Sequence, residues 1–237
     1  EASILIVYGR RRVGKTELIE HVLKDRNLLK LEGVEDGNAK AQMHRVLYQL
    51  SKVFSDPYIA HMQFQTWLEL FDFIASKIAN GVWTLYFEEL QWLAGYKNEL
   101  ISDLKYVWDN TLRHNPNLLL VLCGSSPSFM QNQVVHSKAL YNRSTYEIHL
   151  REFSLKETVE FLGNRSSREV MDAYLTIGGI PEYLKRIKKH SSIYIGICEE
   201  SFKKDSYFSN EKKRIFISSF ASSAHYQEIV NYLSQVK

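Results

Sequence analysis

Eight residues near the start, Gly9-Arg10-Arg11-Arg12-Val13-Gly14-Lys15-Thr16, fit the spacing G-x-x-x-x-G-K-[ST] at every required position. Glycines at both ends let the backbone wrap closely, so that successive N–H groups converge on phosphate oxygens. Lys15 supplies a cation for the β and γ phosphates, and Thr16 a hydroxyl for Mg2+. Gly9, Arg10, Arg11, Arg12, Val13, Gly14, Lys15, Thr16 and Glu17 therefore form a candidate ATP-binding set. A second chemical signal is the pair Glu88-Glu89 at the end of the apolar run 82–87. Ligands of open α/β sheets collect at the carboxyl edge of the strands. Two acids at that edge can divide the work, Glu88 holding Mg2+ through water and Glu89 polarising the attacking water. Ser125, in Gly124-Ser125-Ser126-Pro127 after the apolar run 118–122, has two readings. Its hydroxyl contacts the γ phosphate or the water, or a serine here merely caps a helix beginning near Pro127.

These residues need a sheet to bring them together. Strands are predicted at 4–7, 28–31, 82–87, 118–122 and 145–150 from short runs of apolar and β-branched residues. Leu18, Ile19, Val22 and Leu23 mark a helix over 17–26 directly behind the glycine-rich loop. A strand, that loop and a helix N-terminus in sequence make an anion site. Further helices are predicted over 39–54 and 64–79, split by Ser55-Asp56-Pro57, and over 98–114. In the second of these, Trp67, Leu68, Phe71, Ile74, Ala75 and Ile78 read as a core stripe rather than a base-stacking surface. Beyond residue 150 the pattern changes to helices alone. The Ser154-x-x-Glu157 capping box opens one, a second spans 167–177, and Pro181 begins a third. Residues 191–237 read as loops with one helix near 225–234.

Composition sets outer limits. A chain of 237 residues with 45% hydrophobic content can bury a substantial core. Its longest strongly apolar run, 118–123, is far short of the roughly 20 residues of a membrane helix, and no signal peptide is visible. Cys123 and Cys198 lack metal or redox spacing, which suits the cytoplasm. The eight histidines form no H-E-x-x-H pattern. The net charge of +3 arises in the part after Leu150. The sequence opens on Glu1 at a core strand, so further residues are expected upstream.

The ordered set of segments resembles the AAA+ and STAND P-loop ATPases, and within them the prokaryotic "archaeal ATPase" family. The resemblance is carried by 7–18, 85–93, Gly124-Ser125-Ser126, Leu140-Tyr141-Asn142-Arg143 and Gly178-Gly179-Ile180-Pro181-Glu182-Tyr183-Leu184. It implies an α/β P-loop core with a five-stranded parallel sheet over 1–150, a helical lid over 151–195, and the start of a winged-helix-like segment over 196–237. It further implies Mg-ATP as ligand, Pro181 against the adenine, and Arg143 as an arginine that completes a neighbouring subunit's site when ATP assembles the protein. A plain ion pair with a carboxylate such as Glu147 is the alternative for Arg143. Two positions depart from the family pattern, Glu88 where Asp is usual and Asn142 where Gly is usual.

Two functions from different classes remain open. One is an ATPase that couples ATP binding and hydrolysis to conformational change, with Glu89, Lys15, Ser125 and Arg143 as catalytic residues. The other is a nucleotide-gated switch or DNA-associated regulator with negligible turnover. A GTPase is disfavoured because no N-K-x-D segment occurs. A DNA or protein partner would use Lys185, Arg186, Lys188, Lys189, Lys203, Lys204, Lys212, Lys213 and Arg214. Glu182, Glu199, Glu200, Asp205 and Glu211 interleave with them, as on an ordinary solvated face.

Overall fold

The apolar runs pair as five parallel strands, β1 (Ser3–Tyr8), β2 (Asn27–Glu32), β3 (Trp83–Glu88), β4 (Leu118–Gly124) and β5 (Tyr146–His149), in the order β2-β3-β4-β1-β5. This computed structural model describes residues 1–137, 140, 143–211, 228, 229, 232 and 233. Its chain forms two compact units, Glu1–Arg151 and Glu152–Lys237.

In the first unit, strand alternation sorts side chains onto two faces. Val7, Tyr86, Val121 and Cys123 face α1 (Lys15–Val22) and its Ile19. Ile4, Ile6, Leu29, Leu31, Leu85, Phe87, Leu120 and Leu122 form the other face. Against it pack α2 (Ala39–Val53), α3 (Trp67–Lys77) and, after the one-turn α4 (Leu90–Leu93), α5 (Glu99–Asn110). Side-chain caps fix two of these helices, Asn38 accepting from Ala41 N–H and Thr66 from Glu69 N–H. Trp67, Phe71, Ile74 and Ala75 are buried, so the aromatic stripe is core. The helix expected over 98–114 ends instead at Asn110 and resumes as a 3₁₀ turn, Leu112–His114. After β4 comes the single turn α6 (Pro127–Phe129), followed by a wider π-helical stretch, Met130–Val135.

The second unit, taken by itself, is helical over its described part. Its elements are α7 (Leu155–Leu162), α8 (Ser167–Ile177), α9 (Pro181–Lys188) and α10 (Ile193–Phe202). Capping boxes at Ser154/Glu157 and Ser166/Glu169 start the first two. Gly179 is a close approach. Phe153 N–H donates to its carbonyl at 2.8 Å, and a Cβ there would overlap the Phe153 carbonyl oxygen. The expectation of loops from residue 191 needs correction, because α10 occupies 193–202. Ser192 accepts from Tyr194 N–H at its start, and Gly196 lets its backbone lie against Ile187 of α9, where a Cβ would come within 2.7 Å of the Ile187 carbonyl. This helix runs through the 195/196 boundary expected between lid and C-terminal segment. Most of the helix expected near 225–234, and residues 212–214 of the basic set, lie outside the described residues. Among the described residues, no helix is long and apolar enough to cross a membrane.

Candidate functional site

The loop after β1 adopts backbone angles that explain its glycines. Gly9 has φ +157° and lies so close to Leu150 that a Cβ would overlap that residue's carbonyl oxygen. Arg12 and Gly14 are both left-handed, at φ 71° and 91°, a conformation costly for arginine. The chain then enters α1 at Lys15 with no side chain capping it. The N–H groups of its first turn therefore face outward with the positive end of the helix dipole behind them, as an anion site requires.

Lys15 is buried, and its Nζ donates to the carbonyls of Gly9 and Arg10, each at 2.9 Å. Burial lowers its pKa from the ordinary lysine value, against the opposing pull of Cys123, Glu89 and Glu88. Thr16 follows on α1 and directs its hydroxyl onto Glu88 Oε1. The other oxygen, Glu88 Oε2, is 2.5 Å from Lys30 Nζ of β2. A hydroxyl and a carboxylate oxygen side by side at the helix N-terminus form the oxygen donor set that a hard divalent cation takes, so the residues fit Mg2+. Among the described residues, no group of three or more His, Cys, Asp and Glu side chains could hold a metal by itself. The fit thus requires that phosphates and water complete the coordination.

Glu89 sits between β3 and α4 at φ 51°, ψ 50°. Its Oε2 accepts three hydrogen bonds, from Ser125 Oγ at 2.6 Å, Ser125 N–H at 3.2 Å and Gln91 Nε2 at 2.6 Å. Gln91 Nε2 also lies 3.1 Å from Ser125 Oγ, which closes the cluster across the ends of β3 and β4. Ser125 is thus tied to Glu89, and the residue at the cap position of α6 is Ser126, whose side chain makes no capping bond.

The remaining candidates fall in three places. Arg10 and Glu17 are exposed, and Val13 is buried beneath the loop. Arg11 lies 4.9 Å above the Trp92 ring and 3.6 Å from Glu35. Arg143 makes a two-pronged contact with Asp109 of α5, Nε to Oδ1 at 2.7 Å and Nη2 to Oδ2 at 2.9 Å. Its carboxylate partner is therefore Asp109, whereas Glu147 accepts from Ser144. Pro181 belongs to the second unit, at the first position of α9.

Sequence reading missed Lys30, Gln91 and Asp109. Lys30 was detectable as the single basic residue in the otherwise apolar interior of β2, whereas nothing in the sequence ties Asp109 to Arg143 across 34 positions.

Comparison with known proteins gives the family and the fold. An uncharacterized Methanocaldococcus jannaschii protein is 29% identical over 187 residues, 78% of this chain, and the chain spans 39% of that relative's length. A Walker-type ATPase of Pyrococcus abyssi superposes with TM-score 0.54 at 19% identity, covering 98% of this chain and 71% of that one. The ORC2 protein of Aeropyrum pernix, in ADPNP-ADP complexes, gives 0.51 at 14% identity over all of this chain and 65% of its own. These structures share the fold of the sheet and its helices. Over residues 1–187 the sequence matches the model of an ATPase domain found predominantly in Archaea, and the chain belongs to that family.

Proposed function

We propose that the protein binds Mg-ATP at the carboxyl edge of β1, β3 and β4 and hydrolyses it as an AAA+/STAND-type ATPase, using the cycle to drive conformational change. The observation that supports this most is the convergence of the uncapped first turn of α1, Lys15, Thr16, Glu88 and the Glu89–Ser125 cluster at one edge. Lys15 would leave the Gly9 and Arg10 carbonyls for the β and γ phosphates, and the first-turn N–H groups would take the phosphate oxygens. Magnesium, held by Thr16 and Glu88, would neutralise charge on those oxygens. Glu89 Oε1, the oxygen not occupied by Ser125 and Gln91, would accept a proton from water as its oxygen bonds to the γ phosphorus and the bond to ADP breaks. On this reading the second unit is the helical lid, Arg143 completes a neighbour's site in an ATP-dependent assembly, and any DNA or protein partner meets the basic C-terminal part.

The switch reading has one observation in its favour. Both acids are held by contacts within the protein, Glu88 by Thr16 and Lys30 and Glu89 by Ser125 and Gln91. Such restraint suits a protein that holds ATP and turns it over slowly. Calorimetry with Mg-ATP on the wild type and on Lys15→Ala tests the site itself. Removing a buried cation that faces phosphate should weaken binding at least about 30-fold. Affinity retained within a few-fold would mean that this loop is not the nucleotide site.

A further inference from the structure

We propose that Lys30 is an internal counter-cation for Glu88, a positioning residue that holds this carboxylate and with which Mg2+ must share it. The inference rests on the Mg-ATP reading of the site. β2 is an edge strand, where a lysine is ordinarily a solvated guard against unwanted pairing. Lys30 departs from that role in where it points. Its register partner is Tyr86, so it lies on the face that carries Tyr86 and Glu88 toward α1. Its side chain is 30% exposed, with Nζ 2.5 Å from Glu88 Oε2, 2.9 Å from Glu20 Oε1 of α1 and 5.8 Å from the Tyr86 ring. The ammonium is thus shared between two carboxylates, one at the end of β3 and one on α1.

Glu88 is divided by these contacts, one oxygen taken by Thr16 and the other by Lys30. An aspartate on the same strand would end about 1.5 Å shorter, one carbon–carbon bond. The extra methylene of Glu88 and the cation on the neighbouring strand thus belong together. The long carboxylate spans the distance between α1 and β2, and Lys30 removes the freedom its length would bring. A unit positive charge fixed on this carboxylate also opposes a second cation binding beside it. Glu20 limits that opposition, because it draws the ammonium toward α1.

The partners make opposite predictions. Binding of a fluorescent ATP analogue is followed as Mg2+ is titrated, with a parallel series in EDTA. Lys30→Met should lower the Mg2+ concentration at half-maximal binding about three- to ten-fold, the effect of one charge roughly 6 Å away in a partly solvated site. Lys30→Arg should stay near the wild type. Glu20→Gln, at an exposed position, leaves Lys30 wholly on Glu88 and should raise the midpoint about two- to three-fold. Affinity in EDTA should change less than two-fold in each. Unmoved midpoints, or shifts of Lys30→Met and Glu20→Gln in the same sense, overturn the assignment while the Mg-ATP reading stands. Should Lys30→Met not fold, the sign of the Glu20→Gln shift decides. A wild type with no Mg2+-dependent nucleotide binding removes both.

Discussion

Replacing Glu89 by Gln separates binding from chemistry with little disturbance to the fold. All three donors at this side chain, Ser125 Oγ, Ser125 N–H and Gln91 Nε2, converge on Oε2. The substituted amide must place its oxygen there, because its NH2 group would face three donors. The NH2 is then forced into the Oε1 position, where the proposed proton acceptor becomes a donor. Geometry is kept and basicity is lost. General base catalysis contributes about 10²- to 10⁴-fold, so turnover should fall by that factor, about 3 to 5 kcal/mol in activation free energy. Three charge-assisted bonds become neutral ones, a loss of about 1 kcal/mol in folding stability. The assay is phosphate release under saturating Mg-ATP, with ATP affinity and thermal melting measured on the same preparation. Turnover within three-fold of the wild type, with ATP still bound, would refute the role of Glu89.

Other consequences can be measured independently. Gly9→Ala places a methyl group on the Leu150 carbonyl oxygen and should cost more than about 3 kcal/mol in denaturant unfolding while also abolishing ATP binding. Arg143→Ala breaks the two-pronged contact with Asp109 and should cost about 1 kcal/mol. The hydrogen bond from Arg143 holds the Asp109 carboxyl below its ordinary value. That stabilisation is complete above about pH 4, the unfolded value, and lost as pH falls through the folded one. The variant should therefore lose part of the wild type's acid-side decline in melting temperature. Cys123 is buried with its thiol pushed up to about 12, whereas Cys198 is exposed. A thiol reagent at pH 8 should titrate one cysteine in the folded protein and two after unfolding.

What the sequence reveals follows from how local the cause is. The glycine-rich loop, the central strand β4 and its neighbour β1 are determined within a few residues, by backbone freedom at Gly9 and Gly14 and by continuous apolar runs. The direction of Glu89 is not, since it depends on a left-handed turn that no glycine announces and on Ser125, 36 residues later. The aromatic residues of α3 were readable as core from periodicity alone. Helix α10 was hidden because its apolar residues are not confined to one face, and its place against α9 depends on the missing side chain at Gly196. Likewise the π-helical stretch after α6 has no local signature. It goes with Met130 packed against Gly124, where a Cβ would come within 2.5 Å of its sulfur.

The left-handed backbone at Glu89 also bears on how this protein responds to selection. A residue with a Cβ in this region costs about 1 to 2 kcal/mol relative to an ordinary conformation, and glycine relieves most of that cost. Glu89→Gly would relieve that strain but would also remove three hydrogen bonds to Ser125 and Gln91, each worth about 1.5 to 3 kcal/mol, so selection for heat resistance alone would retain the carboxylate. Stability and the proposed chemistry thus favour the same residue at this turn, and a thermal screen would keep the oxygen that accepts the proton from water.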